Sequence, residues 1–205
     1  MPLKSLNINE WEKRADRHGL QSVMSTRWTL QQCKNATKKL KTNIFSLLPD
    51  LKNKRVLDIG CGIGRFTIDL ADKASEVYAI DISSSMLTRA KKNLESRGVK
   101  IFKEPAHKLH FSDRFFNLTF EVTVLQHILD EDIFRQTLQE IKRVTNPEGM
   151  VLLCGEMAER DKVVSPFTVI RSLETYSQAM KPWKLIKVKN HRCITDRYKI
   201  MLWSL

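Results

Sequence analysis

Three glycines at alternate positions, Gly60, Gly62 and Gly64, directly follow the mostly apolar run Val56-Leu57-Asp58-Ile59. A carboxylate, Asp58, lies two residues before the first of them. A second, Asp81, ends another apolar run, Val77-Tyr78-Ala79-Ile80. Glycines permit positive φ and let a ligand approach the backbone. The helical spacing of Phe66, Ile68, Leu70 and Ala71 then leaves unpaired N–H groups at the loop's end. Strand, glycine turn and helix in this order build a nucleotide site at the carboxyl end of a first sheet strand. The dinucleotide fingerprint needs a glycine where Arg65 stands, so the spacing argues against a nicotinamide ligand. Further along, Glu121 and His127 are the titratable groups placed to take a proton, and His127 is the better suited by type.

The rest of the chain reads as α/β. Trp11 anchors a polar start, with Glu10 to His18 predicted as a short helix stopped by Gly19. Ser25-Thr26 is a predicted cap for an amphipathic helix carrying Leu30, Cys33, Leu40, Ile44, Leu47 and Leu48, with Lys34, Lys38 and Lys41 on its other face. A serine after Asp81 caps the next helix, which Gly98 closes. Lys100–Glu104 and Phe115–Val122 read as strands three and four. Asp130-Glu131-Asp132 opens a helix with the stripe Phe134, Leu138, Ile141 and Val144. Asn146–Gly149 is a turn and Met150–Cys154 strand five. Ser165-Pro166 is predicted to start a helix through Phe167, Ile170 and Leu173. Trp183–Val188 and Tyr198–Leu205 are predicted to pair as an antiparallel hairpin.

The glycine loop with Asp58, the acid at Asp81 and the run Val122-Thr123-Val124-Leu125-Gln126-His127-Ile128 together resemble the class I S-adenosylmethionine-dependent methyltransferases. The resemblance is specific over about residues 50–156. It implies a Rossmann-like, doubly wound, mostly parallel seven-stranded sheet with an N-terminal helical cap, residues 1–50, on a core of residues 51–205. It also implies S-adenosylmethionine as cofactor and S-adenosylhomocysteine as product. By the same resemblance Asp58, Gly60, Cys61, Gly62 and Gly64 pass the methionine part, and Asp81 binds the ribose hydroxyls. Ile82 and Met86 flank the adenine, and the backbone of Ala106 and His107 meets its edge. Family members often carry an acid near the position of Pro105, and proline stands there instead. Glu121, Val122 and Thr123 border the transferred methyl, with Glu121 and His127 as candidate catalytic groups. Trp11, Arg14, Arg17 and Trp28 are candidate lid and substrate residues. Methyl transfer is an in-line displacement with a neutral leaving group, so alignment matters more than a base.

Composition sets the remaining bounds. A length of 205 residues, 42% apolar and 28% charged, suits a single globular domain. No apolar run approaches a membrane span, and Met1–Ser5 lacks a signal segment. The scattered Cys33, Cys61, Cys154 and Cys193 read as free thiols of a reducing cytosol, which predicts a cytoplasmic protein. No His/Cys set has metal-ligand spacing; His107 and His110 lack a third ligand. The net charge of +12 divides into +8 over residues 1–55, −2 over 56–162 and +6 over 163–205. Basic ends favour acidic partners. The expected function is therefore methyl transfer to a small acceptor, an acidic one suiting the charge, by a monomer or homodimer. An RNA or protein acceptor is the alternative, although the base-amino signature of Asn/Asp-Pro-Pro-aromatic is absent. A non-catalytic S-adenosylmethionine-binding protein is the third reading.

Overall fold

The computed structural model describes residues 7–25, 27–194 and 196–205. Its elements are α1 (Ile8–Ala15), α2 (Leu30–Phe45), β1 (Arg55–Ile59), α3 (Thr67–Ala71), β2 (Glu76–Asp81), α4 (Ser84–Leu94), β3 (Lys100–Lys103), β4 (Phe116–Val122), α5 (Glu131–Val144), β5 (Thr145–Ala158), β6 (Lys162–Ser165), β7 (Thr168–Ser172), α6 (Leu173–Met180), β8 (Lys184–Cys193) and β9 (Asp196–Ser204). Short 3₁₀ turns cover Gly19–Ser22 and Leu125–His127.

β3, β2, β1, β4 and β5 lie side by side and parallel. β9 then pairs antiparallel with β5, and β8 antiparallel with β9. These seven strands form the expected mostly parallel sheet. The β6–β7 hairpin brings the total to nine, because β7 joins the far end of β5 through Met157 and Ala158. Alternation along each strand feeds two cores. Leu57 and Ile59 face α5 and α6 with Phe134, Leu138 and Ile141. Val56, Leu118, Phe120 and Leu152 face α2 and α3 with Leu40, Ile44 and Leu70. Two covered faces explain why these strands read as continuous apolar runs. The four cysteines are buried and free.

Several caps fall where the residue types put them. Ser83 accepts from Met86 N at 3.1 Å and Asp130 from Ile133 N at 3.0 Å. Others differ from expectation. α2 starts at Thr29, not at Ser25-Thr26, of which Thr26 lies outside the described residues. The reason is the pair Thr29 and Gln32, whose side chains each bond the other's backbone N–H. α1 ends at Ala15 with Asp16 as its cap, so Arg17 and His18 lie beyond the helix, and Gly19 opens the 3₁₀ turn. The predicted signal-free start, Met1–Ser5, also lies outside the described residues. The turn Asn146–Gly149 persists as a bulge at the start of β5: Phe116 pairs with Thr145, and Leu118 already with Met150.

The largest correction is at residues 165–173. The predicted helix is instead the end of β6, a Pro166-Phe167 turn and β7. Thr168, Val169 and Ile170 are β-branched and suit a strand, and the true cap is Ser172, which accepts from Thr175 N and starts α6. Buried Arg171 fixes this arrangement. It donates to the carbonyls of Leu125 at 3.1 Å and Ile128 at 2.8 Å, lies near Glu131, and sits 3.8 Å over the Phe134 ring.

Candidate functional site

At the carboxyl ends of β1, β2 and β4 the chain forms an open cleft. Gly60, Gly62 and Gly64 all hold positive φ, at +65°, +55° and +82°. A Cβ on Gly60 would lie 2.2 Å from Val124 Cγ2, so both backbone and space demand glycine there. Gly62 N donates to Asp81 Oδ2 at 2.8 Å, and Ser83 N to Asp81 Oδ1 at 2.9 Å. Asp81 thereby ties the glycine loop to the start of α4. Each of its oxygens keeps a lone pair for a ligand in the cleft that it lines. Burial raises its pKa against the pull of these backbone donors.

Asp58 is buried and accepts from Thr67 Oγ1 at 2.6 Å. Burial, aided by the charge of Asp81, pushes its pKa to about 7. With Cys61, Ile82, Met86, Ala106, His107, Val122 and Thr123 it lines the cleft. Thr123 is a β-branched residue held at φ +62°, with its N–H donating to Cys154 O at 2.7 Å. Backbone strain of that kind accumulates at functional sites.

His127 lies at the outer end of the cleft. Its Nδ1–H donates to the Phe167 carbonyl at 2.8 Å, leaving the lone pair on Nε2. The Trp11 ring meets it edge-on at 5.0 Å. Burial, with the nearby Arg14 charge, lowers its pKa to about 4, so it is neutral at physiological pH. Trp11 and His127 also wall two further cavities. One, between α1 and the β6–β7 turn, has Arg14, Arg17, Ser165 and Thr168 in its lining. The other adjoins the cleft at Thr123 and is lined by Arg14, Arg27, Arg65, Gln126, Glu156 and Tyr198 among others.

Two expected site residues, Glu121 and Gly64, lie outside the cleft lining, and a candidate lid residue, Trp28, lines the outer cavity. Glu121 is 2% exposed and does not line the cleft. Its Oε1 accepts from Val124 N and Leu125 N, capping the 3₁₀ turn that carries His127. Burial lifts its pKa to about 7 despite those donors. Gly64 is outside the lining and packs under Leu94. Trp28 is buried with Cys33, Ala36 and Cys193 and reaches only the outer cavity.

Two lining residues went unread in the sequence. Glu104 faces the cleft with Oε1 buried and without a partner, while Oε2 bonds His110 Nδ1 at 2.7 Å. The acid missing at Pro105 thus arrives one residue earlier. Arg65 lines both the cleft and the outer cavity, its guanidinium 4.5 Å over the Phe66 ring. Its place directly after the third glycine was the available signal.

Residues 56–149 match the family model described as a methyltransferase domain. Over that segment the match agrees with the resemblance to the class I S-adenosylmethionine-dependent methyltransferases. The chain is 33% identical over 114 residues to the demethylmenaquinone methyltransferase of Geobacillus kaustophilus, covering 53% of this chain and 47% of that one. It is 27% identical over 151 residues to phosphoethanolamine N-methyltransferase 1 of Triticum aestivum, covering 70% of this chain and 28% of that one. In fold the chain is similar to Haemonchus contortus phosphoethanolamine N-methyltransferase 1, solved with phosphoethanolamine and S-adenosylhomocysteine. The TM-score is 0.80 at 20% identity, over all of this chain and 50% of that one. The chain spans less than half the length of the first curated relatives that it matches. The cofactor that the resemblance implies is S-adenosylmethionine, and the cleft fits it chemically. Orphaned Glu104 Oε1 offers an acceptor for an amino group, Asp81 offers acceptors for hydroxyls, and Ile82 and Met86 supply apolar walls. Among the described residues no group of three His, Cys, Asp or Glu could hold a metal, and no helix is long and apolar enough to cross a membrane.

Proposed function

We propose that this chain is an active methyltransferase that alkylates a small acceptor seated in the cavities beyond Trp11 and His127. The observation that carries this reading is the adjacency of the spaces. The glycine-loop cleft and the outer cavity share Trp11, Val23, Arg65, Thr123 and His127 as walls. A ligand in one and an acceptor in the other lie on the two sides of these five residues.

When bound, the cofactor supplies a methyl group on positively charged sulfur, with a neutral thioether as the leaving group. The chain's own residues do the positioning. Asp81 holds the sugar hydroxyls and Glu104 the adenine amino group. Ile82 and Met86 cover the ring, and Ala106 and His107 border its edge. Arg65 offers its cation to the carboxylate end of the cofactor, beside Gly60, Cys61 and Gly62. The strained Thr123 and neighbouring Val122 shape the wall at the reacting end. Alignment of this kind is worth about 7–11 kcal/mol at best. His127 Nε2 is the acceptor for a proton that the nucleophile must lose. Its low proton affinity keeps the ring neutral and the lone pair free at pH 7, and makes it a weak base that takes the proton only as methyl transfer acidifies the nucleophile. The basic surface suits an acidic small acceptor.

The test is calorimetric titration with S-adenosylhomocysteine, followed by a methyl-transfer screen over small acids, amines and thiols. Submillimolar binding with turnover on one class supports the reading. Absence of binding removes it; binding without turnover favours the non-catalytic alternative. A second reading, an RNA or protein acceptor, draws on the way the two basic ends fold together. α2 packs on β8, with Asn43 Nδ2 bonded to His191 Nδ1 at 2.8 Å and Lys189 Nζ to Ser46 Oγ at 3.0 Å. Salt-sensitive RNA binding that carries methyl transfer would favour it.

A further inference from the structure

The space between α1 and the β6–β7 turn is lined by more than one arginine, where the cofactor cleft has Arg65. Arg14 is held there by two contacts and keeps one donor unpaired. Its Nη2 donates to Met24 O at 2.9 Å, its guanidinium carbon lies 5.0 Å over the Trp11 ring, and its Nε is buried with no partner. A buried guanidinium N–H left without an acceptor costs free energy that a ligand oxygen would recover. Arg17, three residues on, lines the same space, as do Ser165 and Thr168 from the hairpin. Glu10 also lines it, and its charge only partly offsets the two arginines. Burial and Arg17 act together to lower the Arg14 pKa against Glu10. Trp11 and His127 form the wall shared with the cofactor cleft.

We infer that Arg14 and Arg17 form an oxyanion subsite that holds the carboxylate or phosphate of the acceptor while its nucleophile reaches past Trp11 and His127 toward the cleft. The inference rests on the methyltransferase reading and narrows it. The acceptor is a small molecule with an oxyanion a few bonds from the atom that is methylated. Arginine suits the role because its planar fork matches two oxygens of either anion.

The experiment loads the protein with S-adenosylhomocysteine and titrates inorganic phosphate, then acetate, at constant ionic strength, following amide chemical shifts. Saturable binding of one or both anions is expected. Arg14→Met should weaken it at least tenfold and Arg14→Lys less. Lys34→Met, on the exposed face of α2, should change nothing. Product affinity measured on each variant reports whether the fold survives. Should Arg14→Met fail to fold, Arg17→Met reads the same subsite through an exposed residue and should weaken binding severalfold. Tighter phosphate than acetate assigns a phosphorylated acceptor; the reverse assigns a carboxylate. The inference is overturned if neither anion saturates on product-loaded protein, or if the arginine variants bind both as the unaltered chain does. Failure of S-adenosylhomocysteine to bind would instead remove the methyltransferase reading itself.

Discussion

Replacing Glu121 by Gln separates a catalytic carboxylate from a structural one. The side chain is 2% exposed, and its Oε1 caps Val124 N and Leu125 N. Burial moves its pKa from 4.5 to about 7. The folded chain therefore binds a proton between those values that the unfolded chain has released. Stability falls as pH rises through that window and levels off above about 7. The span corresponds to about 3 kcal/mol. Asp58, also raised to about 7, acts in the same direction and is coupled to Glu121, so the two contributions do not simply add. Glutamine keeps an oxygen for the two backbone donors and removes the charge. Urea unfolding from pH 5 to pH 8.5 should show Glu121→Gln gaining relative to the unaltered chain as pH rises, by up to about 3 kcal/mol. Glu121→Ala strands both donors and should cost about 3 kcal/mol near pH 5, a deficit that narrows as pH rises because alanine also removes the titrating carboxyl. Product affinity and turnover of Glu121→Gln should stay within a few-fold. A hundredfold loss of turnover with stability and product affinity unchanged would refute the structural role and return Glu121 to the acceptor's side.

Asp81→Ala removes the ligand acceptor and the tie to Gly62 N and Ser83 N; S-adenosylhomocysteine affinity by calorimetry should drop by about 1–3 kcal/mol. Gly60→Ala and Gly98→Ala share φ +65°, but only the first meets a side chain, at 2.2 Å from Val124 Cγ2. Thermal unfolding should charge Gly98→Ala about 1–2 kcal/mol for backbone alone and Gly60→Ala clearly more, with loss of product binding. Arg171→Met leaves the Leu125 and Ile128 carbonyls without their donor; chemical denaturation should show a loss of about 2–4 kcal/mol, and a smaller loss for Arg171→Lys.

The cofactor cleft was legible because its parts are short in sequence and bound to local geometry. Alternate glycines after an apolar run, and an acid ending the next strand, define loop and strand end wherever the chain goes afterwards. The caps at Ser83 and Asp130 were readable for the same reason: a side chain reaches three residues along its own helix. Residues 165–173 were misread because Ser-Pro is a valid helix start locally. Pairing with β5 and the Arg171 contacts to the Leu125–Ile128 segment decided for a hairpin instead.

Glu121 and Glu104 show the limit most plainly. Strand alternation allowed Glu121 to face either side, and only the packed sheet turned it under the His127 turn. Glu104 carried no signal beyond its charge until the fold buried one oxygen in the cleft and left it unpaired. His127 could be named from the sequence as a titratable group. Its tautomer comes from Phe167, forty residues on; its low proton affinity comes first from burial and then from Arg14 on α1, against the pull of the Phe167 carbonyl. The sequence by itself determined which ligand class the first strands receive, since that depends on backbone conformation over a few residues. Which groups surround the acceptor was decided only by tertiary structure, since burial and charge proximity are properties of segments that meet in space.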